Sequence, residues 1–241
     1  MNLILASSSP RRREIIAHLS LSFVIQAADV DETPRHGESP VAMVLRLSRE
    51  KARTIARIAP VNSIILAADT TVVLDGESIG KPRDASEADA ILRRLRGRPH
   101  QVFTGIALAK CRAPRDSSPL QHPELVKDAL RPVQDAGFSY KLNHVWVKDE
   151  NTYWSSLCET RVHTRDYSDD EIARWIATGK LYDKAGAYAI QDPDINPVAR
   201  IEGCYLNVMG LPLCEVIRGL NALGVMIEAQ EPIPHDWSNE S

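Results

Sequence analysis

Residues 3–16 read LILASSSPRRREII, and the order of their chemistry sets the architecture expected for the chain. Leu3 to Ala6 is a short apolar run of strand type. Ser9 then reads as an N-cap and Pro10 as the first helical residue, because proline has no N–H to leave unpaired and its φ already suits a helix. Arg11, Arg12 and Arg13 fall in the first turn. That end of a helix carries about half a positive charge and favours Asp or Glu by roughly 0.3–1 kcal/mol per exposed charge. Three cations there call for an anion. Either the turn is a phosphate site, where free N–H groups and guanidinium forks converge, or it is a solvated basic turn whose arginines find acidic neighbours.

Working outward, the βα pattern recurs. A second strand near Phe23–Ala28 enters the acidic turn Asp29–Glu32, and Ser39-Pro40 starts a helix expected to reach about Ile58. Ile64–Ala68 is a compact apolar run that suits a strand buried on both faces, with Asp69 expected just past its end. Thr70–Leu74 and the turn Asp75-Gly76 follow. A helix is expected over about 86–96, ending in basic residues and Gly97, where a C-terminus wants them. Strands follow over His100–Ala109 and Tyr153–His163. Between them, residues 111–146 hold prolines, serines and aspartates without periodicity, and are expected to be an insertion or long loop. Ser168–Glu171 is a capping box for a helix to Thr178. Lys184–Gln191 reads as a small-residue turn entering a strand, Ala199–Met209 as another strand, and Pro212 as the start of a last helix. The whole reads as one α/β domain over residues 1–228, a mixed central sheet flanked by helices, followed by a flexible tail over 229–241.

Composition narrows the function classes. The chain has 241 residues, 44% hydrophobic and 25% charged, with a net charge of -3. Such a balance gives no global field toward nucleic acid or an anionic membrane, so neither is expected as a partner. No apolar run approaches the ~20 residues that span a bilayer, and no secretory signal is visible, so a cytoplasmic location is expected. The four cysteines fit no zinc spacing.

Several residues could carry chemistry. An aspartate at a strand end, such as Asp69, can bind a divalent ion, accept a proton from water, or cap the next turn. Asp31 and Glu32 form a second acidic group that would, beside Asp69, supply the hard oxygen ligands preferred by Mg²⁺ or Mn²⁺. Lys51 would by default lie on a helix surface. Lys81 is held between Gly80 and Pro82, and Gln191 could meet a base edge or a phosphate. No P-loop, dinucleotide fingerprint or nucleophile elbow is present. Cations with carboxylates and no P-loop fit metal-assisted hydrolysis of a phosphoanhydride.

The segments LASSSPRR (5–12), Glu32, REKA (49–52), ADT (68–70), GKPRD (80–84), HQVFTG (100–105), DKAGAYAIQ (183–191) and GCYLNVMGLPL (203–213) together resemble the Maf family of nucleoside triphosphate pyrophosphatases, in family order from residue 3 to about 225. The resemblance implies a mixed α/β fold with a cleft between two lobes, often a homodimer. It implies cleavage of a nucleoside triphosphate between its α- and β-phosphates, with Asp69 as proton acceptor. Ser7, Arg11, Arg12, Glu32, Lys51 and Lys81 would line the phosphate and metal site, with Glu32 and Asp69 on a divalent cation. Arg11, Thr70 and Gln191 would bear on substrate choice. Residues 183–191 look like the subfamily acting on dTTP and UTP. Its alternatives are the sister subfamily acting on 7-methyl-GTP, and a non-catalytic nucleotide-binding regulator of septum formation.

Overall fold

Alternation of side chains along the strands splits the interior into two sides of one mixed sheet. The computed structural model describes residues 2–112, 144–148, 151–191, 194 and 196–227. Most of the expected insertion and the expected tail lie outside the described residues. Strand β1 (Asn2–Leu5) runs parallel to β2 (Phe23–Ile25) and to β3 (Ser63–Leu74). Beyond β3 the pairing turns antiparallel, through β5 (Pro99–Lys110) and β7 (Asn151–Thr164) to β6 (His144–Lys148). The order is β2-β1-β3-β5-β7-β6. Strand β4 (Glu77–Ile79) folds back on β3 through Asp75-Gly76, both at positive φ. That dipeptide suits the tight turn a two-residue hairpin needs. Strand β8 (Val198–Glu202) pairs with β7.

Helix α1 (Pro10–Ala17) begins as the sequence implies, with Ser9 capping and Pro10 at its first position. With α3 (Ala85–Leu95), α4 (Asp169–Ala177) and α6 (Leu213–Ala222), it contributes to the larger buried cluster, which includes Leu3, Leu5, Ile64 and Leu66 from the sheet. Helix α2 (Pro40–Ala56) covers the other face, where Ile4, Ala6, Ile65, Ala67, Ala107 and Ala109 meet Ala52 and Ile55. The many alanines on that side leave room for a helix backbone close to the sheet. At Gly105 the approach is closest: a Cβ there would lie 2.4 Å from the carbonyl oxygen of Val44.

Four expectations are corrected. Asp69 does not follow a strand; β3 runs through it for 12 residues, because both faces of the segment are covered and it pairs in register with β5, Asp69 opposite Gly105. Residues 184–191 form no strand. Ala185–Ala187 make a 3-10 turn with Gly186 at φ 74, and the turn packs on Val72 and donates from Gly186 N–H to Gly80 O at 3.1 Å. The strand expected over 199–209 ends at Glu202, where Gly203 at φ 127 turns the chain into the short helix α5 (Tyr205–Val208). Residues 144–146, expected in the insertion, belong to β6, because they pair with Tyr153–Ser155. Among the described residues no helix is long and apolar enough to cross a membrane.

The turn at 184–191 is tied to the sheet by one buried bond, His100 Nε2 to Tyr188 Oη at 2.8 Å. Burial lowers the His100 imidazole to about 4. A folded pKa below the unfolded value of about 6.5 means the neutral form is the one the fold accommodates. The linked stability is fully present above pH 6.5 and is lost as pH falls toward 4. The wild type is therefore expected to lose up to about 3 kcal/mol over that window, about 1.4 kcal/mol for each pH unit crossed. His100→Gln, which cannot titrate, should flatten that part of the urea-denaturation profile. Parallel profiles for the two proteins between pH 6.5 and 4 would refute the assignment.

Candidate active site

Helix α2 presents Val44, Ser48, Lys51 and Ile55 at three- and four-residue spacing, so they share the face that lies on the sheet. All four are buried. Because Gly105 lets α2 press onto β5, and Gly105 stands opposite Asp69, Lys51 comes to rest over Asp69. Its Nζ lies 2.6 Å from Asp69 Oδ1 and 2.6 Å from Glu32 Oε1. One ammonium thus holds two carboxylates from distant parts of the chain. The expectation that Lys51 is a surface residue fails: only 8% of it is exposed. Its aliphatic stem covers the apolar face while its head reaches the polar edge.

The two carboxyls differ electrostatically. Burial pushes Asp69 above its ordinary value, although Lys51 and Arg12 pull the other way. Glu32 is also partly desolvated, but the hydrogen bond and charge of Lys51, then Lys81 and Arg12, hold it below its ordinary value. The site therefore pairs a more basic carboxylate with a firmly ionised one. Asp31 has another role, since its Oδ1 accepts from Thr33 N–H at 2.9 Å and closes a turn.

Arg12 is the second organising group. Its guanidinium donates to Gly210 O at 2.8 Å, Ala68 O at 2.7 Å, Thr70 Oγ1 at 3.0 Å and Ser7 Oγ at 3.3 Å. It stitches the serine turn, β3 and the loop after α5 together. Burial lowers its pKa, and the charge of Asp69 opposes that. Thr70 Oγ1 also contacts Thr104 Oγ1 at 2.9 Å. Both side chains are thus engaged within the protein, whereas Arg11, which also lines the cleft, acts with its charge on Asp183.

Ser7, Arg11, Arg12, Glu32, Lys51, Asp69, Thr70, Lys81 and Gln191 all line one cleft of ≈ 1160 Å³. Lys81 is exposed, and so is Gln191, which hydrogen-bonds the Tyr205 side chain. Sequence reasoning about single residues missed the far wall, where Asp183 and Lys184 pair at 2.5 Å and Gly210 offers its carbonyl to Arg12. The only signal for them was the composite segments 183–191 and 203–213. Three of the four cysteines also gather: the hydrogen bond with Cys158 raises the Cys204 thiol to about 11, and Cys214 contacts Cys204 too. Among the described residues no group of three or more His, Cys, Asp or Glu could hold a metal ion.

A family model described as Maf-like protein matches residues 2–223. The chain is 42% identical over 223 residues to a protein of Myxococcus xanthus named dTTP/UTP pyrophosphatase, covering 92% of this chain and 93% of that one. It is 39% identical over 225 residues to a protein of the same name from Geotalea uraniireducens, covering 93% and 96%. A third of that name, from Thermomicrobium roseum, is 39% identical over 232 residues, covering 96% and 88%.

Two outcomes follow from the geometry. Gly105→Ala has no room against the Val44 carbonyl, so α2 must move; the expected loss is about 1–3 kcal/mol of stability, read as a lower urea midpoint. In Lys51→Met, carbon-13 NMR titration should find the Asp69 carboxyl raised further and Glu32 raised with it, since their shared cation is gone. Unchanged titration of both carboxyls would show that the lysine bridge does not form in solution.

Proposed function

The chain belongs to the Maf family, and from that premise we propose that it is a nucleoside triphosphate pyrophosphatase that hydrolyses dTTP and UTP to the monophosphate and pyrophosphate. The observation that carries the reading is the Lys51 bridge: a basic, buried Asp69 and an ionised Glu32 face a cleft that also presents Ser7, Arg11 and Lys81. The matching names of the relatives favour the pyrimidine substrates over 7-methyl-GTP.

The residues divide the work as follows. A triphosphate brings about four negative charges, which Arg11 and Lys81, both lining the cleft, offset. Arg12 adds charge from beneath and keeps the serine turn in shape. Asp69 orients a water against the α-phosphorus and takes its proton. The bond from that phosphorus to the α–β bridging oxygen breaks, and pyrophosphate leaves. Lys51 keeps Asp69 ionised and aimed. Thr70 and Gln191 stand in the same cleft, where they bear on the choice of nucleotide.

The donor set suits a divalent cation such as Mg²⁺ or Mn²⁺. Lys51 engages Oε1 of Glu32 and Oδ1 of Asp69, so each carboxylate keeps an oxygen that the lysine does not use. Two carboxylates complete a hard-ion site when substrate phosphates supply further oxygens. When bound, such an ion supplies charge neutralisation of the phosphates and of the leaving pyrophosphate.

Incubation of the protein with dTTP or UTP and Mg²⁺ or Mn²⁺ should give monophosphate and pyrophosphate. Orthophosphate with a nucleoside diphosphate would place the cut at the wrong bond. Asp69→Asn should lower turnover by about 10²–10⁴-fold, the usual loss for a general base, while nucleotide binding largely survives. Near-normal turnover in that variant would remove Asp69 from the role. Arg11→Ala should act mainly on the Michaelis constant, because a charge-assisted clamp on the ground state is lost.

A further inference from the structure

The loop that carries Glu32 has little to hold it. Residues 26–39 form no strand or helix, and every residue from 31 to 37 is exposed. Apolar burial therefore cannot fix the position of the Glu32 backbone. Yet the side chains of Arg46 and Glu38 beneath the loop are only 11% and 9% exposed. All five N–H donors of an arginine can be counted here. Arg46 Nε donates to Glu38 Oε1 at 2.6 Å and Nη2 donates to Glu38 Oε2 at 2.8 Å. Nη1 donates to Glu50 Oε2 at 3.1 Å. The other two bonds reach the Asp31 carbonyl at 3.5 Å and the Thr33 carbonyl at 3.1 Å, the two residues that flank Glu32. Glu38 also accepts from Arg35 N–H at 3.1 Å, which closes the loop on itself.

We propose that Arg46, oriented by Glu38, is a positioning residue for Glu32: its guanidinium clamps the backbone on both sides of that carboxylate and sets where it enters the cleft. The inference rests on the reading of Glu32 as a group of the triphosphate site. Arg46 and Lys51 stand on the same helix, five residues apart. Helix α2 thus fixes Glu32 twice, the backbone through Arg46 and the carboxylate through Lys51. A lysine at position 46 would keep the charge but could not span two carbonyls and a carboxylate together. An arginine serving only to anchor its helix would bond acids on the helix face. Two of these five bonds go instead to carbonyls of Asp31 and Thr33, in the stretch 31–37 where every residue is exposed.

The test combines hydrogen exchange of the free protein with kinetics of pyrophosphate release from dTTP over a range of Mn²⁺. In Arg46→Met, exchange should quicken by about ten-fold or more at the Thr33, Arg35 and Glu38 amides, which the loop's own bonds protect, and stay unchanged in β3. The turnover number should fall by about 10–100-fold, the scale of an ångström-level misplacement, with more Mn²⁺ needed for half-activation and little change in the Michaelis constant for dTTP. Arg46→Lys should restore little of it. In a Glu32→Gln background the same Arg46→Met change should lower turnover by less than about two-fold, because the group it positions is already gone. A full multiplicative loss in that background, or unchanged loop exchange, would overturn the proposal. Normal turnover of Glu32→Gln alone would instead overturn the role given to Glu32, while the exchange data still decide whether Arg46 holds the loop. If Arg46→Met does not fold, Glu38→Gln leaves the arginine in place and is read by the same two measurements.

Discussion

Burying an aspartate in the middle of a strand is tolerable only with a cation at hand. An unpaired carboxylate in the interior costs several kcal/mol, and removing one partner of a buried pair typically costs about 3–5 kcal/mol. Asp69 stands at 9% exposure on the strand where the sheet passes from parallel to antiparallel pairing. Its partner, Lys51, is presented by a helix that must come within van der Waals contact of the sheet backbone. The missing side chain of Gly105 makes that contact possible. The close approach of α2, the alanines beneath it and the burial of Asp69 are therefore one arrangement, seen from three sides.

The same logic explains why the cleft is built from turns and loops on a sheet floor. The floor is β3 and β5, tightly paired and covered on both faces. The walls are the serine turn, the loop carrying Glu32, the turn at 185–187 and the loop after α5. Each wall is tied to the floor or to α2 by a side chain that makes several bonds at once or one buried bond. Arg12 serves the serine turn and Gly210, His100 serves the Tyr188 segment, and Arg46 serves the Glu32 loop. A forked group suits the Glu32 loop above all, because residues 31–37 are all exposed and bury no apolar side chain there.

Arg12 shows how position changes a residue's meaning. In the linear sequence it is one of three equivalent cations in a helix turn. In the fold it is bonded to two carbonyls and two hydroxyls and desolvated, while the charge of Arg11 acts on Asp183. Its charge still acts on Asp69 and Glu32, so it tunes the carboxylates from within the protein.

What the sequence determined was local. Ser9-Pro10 and Ser39-Pro40 start helices, Asp75-Gly76 makes a hairpin, Ser168–Glu171 form a capping box, and apolar runs become strands. Each depends on bonds between residues a few positions apart, so the order of residues is enough. The family segments also marked most of the residues that line the cleft. Tertiary structure alone decided the rest. That Asp69 lies inside a strand follows from its register with Gly105, and that Lys51 is buried follows from the approach of α2. The segments 184–191 and 203–209 left the strand pattern where Gly186 and Gly203 take positive φ and the chain packs back on β3 and β7. Pairings such as Lys51 with Asp69 and Glu32 join residues far apart in the chain, and their geometry is set by how helices and sheet pack, which no local pattern encodes.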